Sequence, residues 1–105
     1  MSPDPPLPTA NSQNSNFIRV HVWISGRVQG VGYRFSTLHQ ARQRDLNGWV
    51  RNLPDGRVEA VFEGTLTNIE EMIQWCHHGP SAAKPENVGV EYEPVEGLQG
   101  FEIIR

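Results

Sequence analysis

The stretch Gly48-Trp49-Val50-Arg51-Asn52-Leu53-Pro54-Asp55-Gly56-Arg57-Val58-Glu59-Ala60-Val61-Phe62-Glu63-Gly64 decides the fold. Two runs of strand-forming residues, 48–53 and 57–64, flank Pro54-Asp55-Gly56, where a proline with fixed φ and a permissive glycine suit a tight turn. The segment reads as a β-hairpin. On both sides the apolar period changes from two to that of a helix. Upstream, Phe35, Leu38 and Ala41 recur at helical spacing, and Asn47-Gly48 predicts a stop after Leu46. Downstream, Thr67 and Glu70 have the spacing of a capping box. Ile69, Met72, Ile73 and Cys76 then fall at i, i+3, i+4 and i+7, an apolar stripe that ends at Gly79-Pro80.

Further out, Phe17 to Ile24 alternates, with Ile18, Val20, Val22 and Ile24 on one side and Arg19, His21 and Trp23 on the other. Val88, Val90 and Tyr92 alternate in the same way, and Phe101 to Ile104 closes the chain as a short strand. The order β-α-β-β-α-β with one added terminal strand predicts an α+β, ferredoxin-like sandwich, two helices packed on one face of an antiparallel sheet. In that topology the first and second strands run parallel with the third between them, so their carboxyl ends share one sheet edge.

Composition narrows the function. A net charge of −3 across 105 residues argues against the broad basic face that binds nucleic acid, while leaving room for a small anionic substrate. No stretch approaches the ~20 apolar residues of a membrane span. Residues 1–15 hold four of the eight prolines and no basic stretch followed by an apolar one, so they predict a flexible extension rather than a signal peptide, with the folded domain over 16–105. One cysteine, Cys76, excludes an intrachain disulfide and a thiolate zinc site, and a cytoplasmic location is expected.

At the end of the first strand stands Ser25-Gly26-Arg27-Val28-Gln29-Gly30-Val31-Gly32-Tyr33-Arg34. Glycines between a strand and a helix let backbone N–H groups converge with the positive end of the helix dipole, and an arginine adds a forked cationic donor. The spacing is neither GxGxxG nor a P-loop, so no nucleotide is implied. Spacing alone leaves a structural turn and an oxyanion cradle both open. Arg42 and Arg44 read as ordinary helix charges.

Asn52 is the second polar residue at that edge. Alternation places it on the face of Val50, toward the helices, where an amide needs partners or costs about 1 to 3 kcal/mol. A primary amide both donates and accepts, which suits it to hold a water molecule; a turn-forming asparagine is the alternative.

Gly26 to Arg34 resembles the first signature of the acylphosphatase family, and Gly48 to Asn52, continuing through Gly56, Val58 and Gly64, is similar to the second. The resemblance covers residues 17 to 105. It implies hydrolysis of acyl phosphates to a carboxylate and inorganic phosphate by a small enzyme, without metal or covalent intermediate; a monomer with no cofactor is expected. By the same resemblance Arg34 binds the phosphoryl oxygens and Asn52 orients the attacking water. The backbone amides of Gly26, Arg27, Val28, Gln29, Gly30 and Val31 cradle the phosphate. A small-molecule acyl phosphate is then the partner, with no nucleic acid and no membrane.

Other chemistry-bearing residues have plainer readings. His21, His39, His77 and His78 lack the spacing of helical metal ligands and predict capping or solvated roles. Cys76 completes an apolar stripe and predicts a buried packing residue. Trp23 and Trp49 share the sheet face away from the helices, as in RNA-binding domains of this fold. The third strand, however, lacks their aromatic-glycine signature and puts Glu59 and Glu63 on that face, where they repel phosphate.

Overall fold

The computed structural model describes residues 16–105; the extension expected over 1–15 lies outside the described residues. Five strands, β1 (Phe17–Arg27), β2 (Asn47–Asn52), β3 (Val58–Thr65), β4 (Lys84–Glu93) and β5 (Phe101–Ile103), form one sheet in the order β4-β1-β3-β2-β5. Two helices, α1 (Tyr33–Gln43) and α2 (Leu66–Cys76), connect them as the sequence order predicts. The sheet is mixed: β3 runs antiparallel to β1 and β2, β4 antiparallel to β1, and β5 parallel to β2. Val58 is the register partner of Ile24 on one side and of Asn52 on the other. One row across three strands thus carries Asn52 to the level where β1 is about to end, roughly 10 Å away at ordinary strand spacing.

Both helices cover one face. Val20, Val22, Ile24, Val50, Val58, Ala60 and Phe62 point from the sheet into a core closed by Tyr33, Ala41, Ile69, Met72 and Cys76, all essentially without solvent exposure. At about 1.5 to 3 kcal/mol for each fully buried large apolar side chain, this face is what holds the helices down. The α2 stripe matches expectation at Ile69, Met72 and Cys76. Its start does not: Thr65, still extended at the end of β3, is the N-cap, and its Oγ1 accepts the N–H of Asn68 at 3.3 Å. The strand enters the helix with no linker, so Thr67 and Glu70 fall on the exposed helix surface instead of forming a box.

The α1 stripe also differs. Its buried residues are Tyr33, Thr37 and Ala41, whereas Phe35 is 72% exposed. Nor does Asn47-Gly48 end the helix; Asp45 turns the chain in the left-handed region at φ 54°, and Leu46 N–H donates to Ala41 O at 2.9 Å. Tyr92, which alternates with Val88 and Val90 on β4, is exposed. The hairpin closes as read, with Leu53 N–H donating to Arg57 O at 2.8 Å and Asp55 Oδ1 accepting the N–H of Arg57 at 3.1 Å.

The sheet face away from the helices is less open than alternation suggests. Glu59 and Glu63 lie there but are buried, as is Val61 between them. Glu59 takes Arg51 Nε at 2.6 Å and lies 2.6 Å from His21 Nε2, while His21 Nδ1 lies 2.8 Å from Glu93. Burial alone would push the Glu59 carboxyl up, but the hydrogen bonds from Arg51 and His21 outweigh it and hold it below its ordinary range. Glu63 is held low against burial too, by the N–H groups of Glu96, Gly97 and Leu98 and by the Arg19 guanidinium. His21 is therefore the centre of an ionic network, not a solvated or capping side chain. Trp23 stacks on it at 4.1 Å and Trp49 meets it edge-on at 5.8 Å.

Candidate active site

The glycine-rich segment divides into three parts. Gly26 and Arg27 still belong to β1 and pair with Pro85 and Lys84 of β4. A β-carbon on Gly26 would stand 2.5 Å from Lys84 O and 2.6 Å from Glu86 N, so the backbone approach at this bulge admits glycine alone. Val28 turns into the core, and its N–H donates back to Gly26 O at 3.0 Å. The amides of Gln29, Gly30, Val31 and Gly32 meet no acceptor among the described residues. Gly32 is the N-cap of α1, left-handed at φ 79° and ψ 18°, and offers no side chain to the first turn.

That first turn has no acidic residue and carries Arg34 instead. The positive end of the helix dipole, the uncapped N–H groups of the turn and a guanidinium without an ion-pair partner among the described residues share one place. For the helix alone this is an unfavourable start. For an anion it is a ready site.

Asn52 ends β2 in the register row that holds Ile24 of β1. Its Oδ1 is buried and has no hydrogen-bond partner among the described residues. Native structures rarely leave such an atom unpaired, and the desolvation cost of about 1 to 3 kcal/mol points to a water or ligand atom that completes it. Gln29 sets the distance between loop and hairpin: its side-chain amide donates to Leu53 O at 2.8 Å and to Arg57 O at 2.9 Å. No local pattern marks this role of the Gln29 side chain, because its acceptors lie 24 and 28 residues away in a different element.

Val28, Gln29, Gly30, Gly32, Tyr33, Arg34, Phe35, Asn52 and Ile103 line one cleft of about 290 Å³. Arg34 is the single charged residue among them. Of the predicted residues, Arg34, Asn52, Val28, Gln29 and Gly30 thus come together, while Gly26 and Arg27 remain in the sheet and Val31 packs on the core. Gly32, Tyr33, Phe35 and Ile103 join the lining without having been expected. Tyr33 anchors the loop from beneath, its buried hydroxyl donating to Cys76 O at 2.7 Å. Burial pushes the Cys76 thiol up to about 12, so it stays protonated and packs, as expected.

Volume does not identify the site. A depression of about 610 Å³ lies at the other end of α1, lined by Arg42, Asp45, Leu46, Asn47 and residues 99–102. Its cation is already committed, Arg42 Nη2 donating to Phe101 O at 3.0 Å. Arg44 lies 3.4 Å from Glu71, so both arginines take no part in the smaller cleft.

Known proteins share this sequence and fold. The sequence model of the acylphosphatase family matches residues 20–103. An acylphosphatase of Trichormus variabilis is 61% identical over 99 residues, which cover 94% of this chain and 97% of the relative. Among solved structures, an acylphosphatase from Coxiella burnetii superposes with a TM-score of 0.85 at 37% identity, covering 88% of this chain and 97% of its own. An acylphosphatase from Bacillus subtilis superposes with a TM-score of 0.82 at 32% identity, covering 84% and 99%. Family match, identity along nearly the whole of both chains and a shared fold lead to one conclusion: the chain belongs to the acylphosphatase family of hydrolases.

Proposed function

We propose that this cleft hydrolyses the carboxyl–phosphate anhydride of acyl phosphates, with Arg34 and the loop amides binding the phosphoryl group and Asn52 orienting the attacking water. The observation that carries the reading is the buried Oδ1 of Asn52, without a partner among the described residues, on a side chain that lines the same small cleft as Arg34 and the uncapped start of α1. The water oxygen attacks phosphorus, the bond from phosphorus to the acyl oxygen breaks, and a carboxylate leaves with the bonding pair. A carboxylate is a weak base and departs without a general acid. Phosphoryl transfer through a loose transition state depends on positioning and on donors aimed at the equatorial oxygens, which Arg34 and the amides of Gln29 to Gly32 supply. The Asn52 amide has no useful basicity: its Oδ1 accepts a hydrogen from the water and aims it, and the water proton ends on a phosphate oxygen.

On this reading the protein acts as a monomer on a small soluble substrate, in the reducing cytoplasm that suits a single, buried free cysteine. The test is hydrolysis of benzoyl phosphate in excess chelator, by the wild-type protein and by Arg34→Gln. Turnover that survives chelation and falls by about 10³ in kcat/KM in a folded Arg34→Gln variant is expected. Turnover abolished by the chelator, or unaffected by the substitution, would contradict it.

A further inference from the structure

Phosphate recognition accounts for only part of the cleft. Arg34, the loop amides and Asn52 are polar, yet Phe35 and Ile103 line the same space. Among the described residues, five large hydrophobic side chains are exposed, and these two, at 72% and 36%, are the pair that meets the phosphate-binding groups. A single exposed apolar side chain needs no explanation. Two converging on one polar cleft from different elements, the first turn of α1 and the end of β5, do.

Neither serves the core. Phe35 lies on the side of α1 away from the buried stripe of Tyr33, Thr37 and Ala41, so its ring contributes nothing to holding the helix on the sheet. It follows Arg34 directly in the chain, which brings an apolar ring to the rim of the site where the arginine grips an anion. An acyl phosphate has one strongly polar end and one end whose character varies. Once the phosphoryl group is held by the polar lining, the acyl group meets what remains.

Resting on the acyl phosphate reading above, we infer that Phe35 and Ile103 form an apolar platform for the acyl group, so that the site selects acyl phosphates with apolar, above all aromatic, acyl groups over acetyl or carbamoyl phosphate. Ring-to-ring contact with Phe35 favours an aromatic acyl group beyond simple area burial, whereas a small or amide-bearing acyl group leaves the platform wet. Phe35 is thus a specificity-determining residue, not one that touches the reacting atoms.

The experiment compares kcat/KM for benzoyl and acetyl phosphate, each corrected for uncatalysed hydrolysis, in wild type, Phe35→Ala, Phe35→Leu and Tyr92→Ala. Inhibition constants for benzylphosphonate and methylphosphonate serve as a binding readout that needs no turnover. Phe35→Ala should lower the benzoyl-to-acetyl ratio by roughly fivefold to tenfold, mainly through KM, and the phosphonate ratio in parallel. Phe35→Leu should fall between, and Tyr92→Ala, a distant exposed aromatic on β4, should leave both ratios alone. Both ratios unchanged in Phe35→Ala would overturn the platform. A folded wild type that turns over neither substrate would overturn the reading beneath it, and the phosphonate pair would still judge the platform on its own.

Discussion

The two helices begin in opposite ways. At α2 the chain passes from strand to helix at Thr65, whose hydroxyl oxygen takes the N–H of Asn68, and the first turn is capped from within. At α1 the N-cap is a left-handed glycine with no side chain to offer, the preceding loop amides are without acceptors among the described residues, and the first turn holds an arginine where an acid would be favoured. Both helices have 11 residues and pack on the same sheet face, so fold stability alone gives no reason for the difference. One start is completed by the protein; the other is left for a ligand. Asn52 repeats the contrast at the level of one atom, since its Oδ1 is buried with no partner among the described residues while Tyr33, Thr37 and Glu63 all have theirs.

The largest effect that breaks the contrast is removal of that atom. Asn52→Ala should lower kcat by about 10² to 10³ while changing inhibition by inorganic phosphate by no more than about twofold. Steady-state kinetics with phosphate as product inhibitor reads both numbers. Because the substitution deletes an unsatisfied buried oxygen, its Tm should not fall; a large loss of Tm would make Asn52 a structural residue.

Next comes the clamp between the loop and the hairpin. Gln29→Ala frees the loop from Leu53 and Arg57, and a shift of about 1 Å between the phosphate donors and Asn52 is enough to cost on the order of 10- to 100-fold in kcat/KM. Gln29→Glu should be worse than alanine, since it places a carboxylate against two carbonyl oxygens and beside the anion. Equal activity in all three proteins would show that the loop holds its position without the clamp.

Thr65→Ala treats the other helix. Loss of the cap should cost about 1 kcal/mol, read as a Tm lower by about 4 to 8 °C, with kcat and KM unchanged. Activity that falls along with Tm would mean that the two helix starts are coupled.

The smallest effect near neutrality is that of pH, and it belongs to the network on the far sheet face. Arg19 and His21 hold the Glu93 carboxyl below its ordinary range, and those of Glu59 and Glu63 are held low against the cost of burial. Depressed carboxyls contribute stability above the unfolded value, near pH ~4.3, and lose it as pH falls through their lower folded values. Tm should stay level from about pH 7 to 5 and drop below about pH 4, and Arg51→Met should make the acid loss begin from a lower plateau. A plateau that is unmoved in that variant would remove Arg51 from the network.

Much of this was legible in the sequence because it rests on short-range pattern. The hairpin, the strand order and the α2 stripe follow from alternation, helical spacing and turn residues within a few positions of one another. Arg34 and Asn52 were legible as well, since topology alone sends the ends of β1 and β2 to one edge. Phe35 was not, for a geometric reason. At about 100° per residue, a run of steps of three drifts backward around the helix, so Phe35 lies roughly 160° from Thr37, the middle of the buried stripe. With a threonine at its centre, that stripe gives little apolar signal. Gln29 and His21 escaped because their partners are between 24 and 72 residues away, and no local pattern announces a hydrogen bond of that span.

The most direct test is a titration of the wild-type protein with inorganic phosphate, followed residue by residue in its amide ¹⁵N–¹H spectrum. Saturable shifts are expected of the Gln29, Gly30, Val31, Gly32 and Arg34 amides and of the Asn52 side-chain amide, with the capped Asn68 amide still. Loop amides that stay in place, or shifts that centre on α2 or on the depression around Arg42, would contradict it.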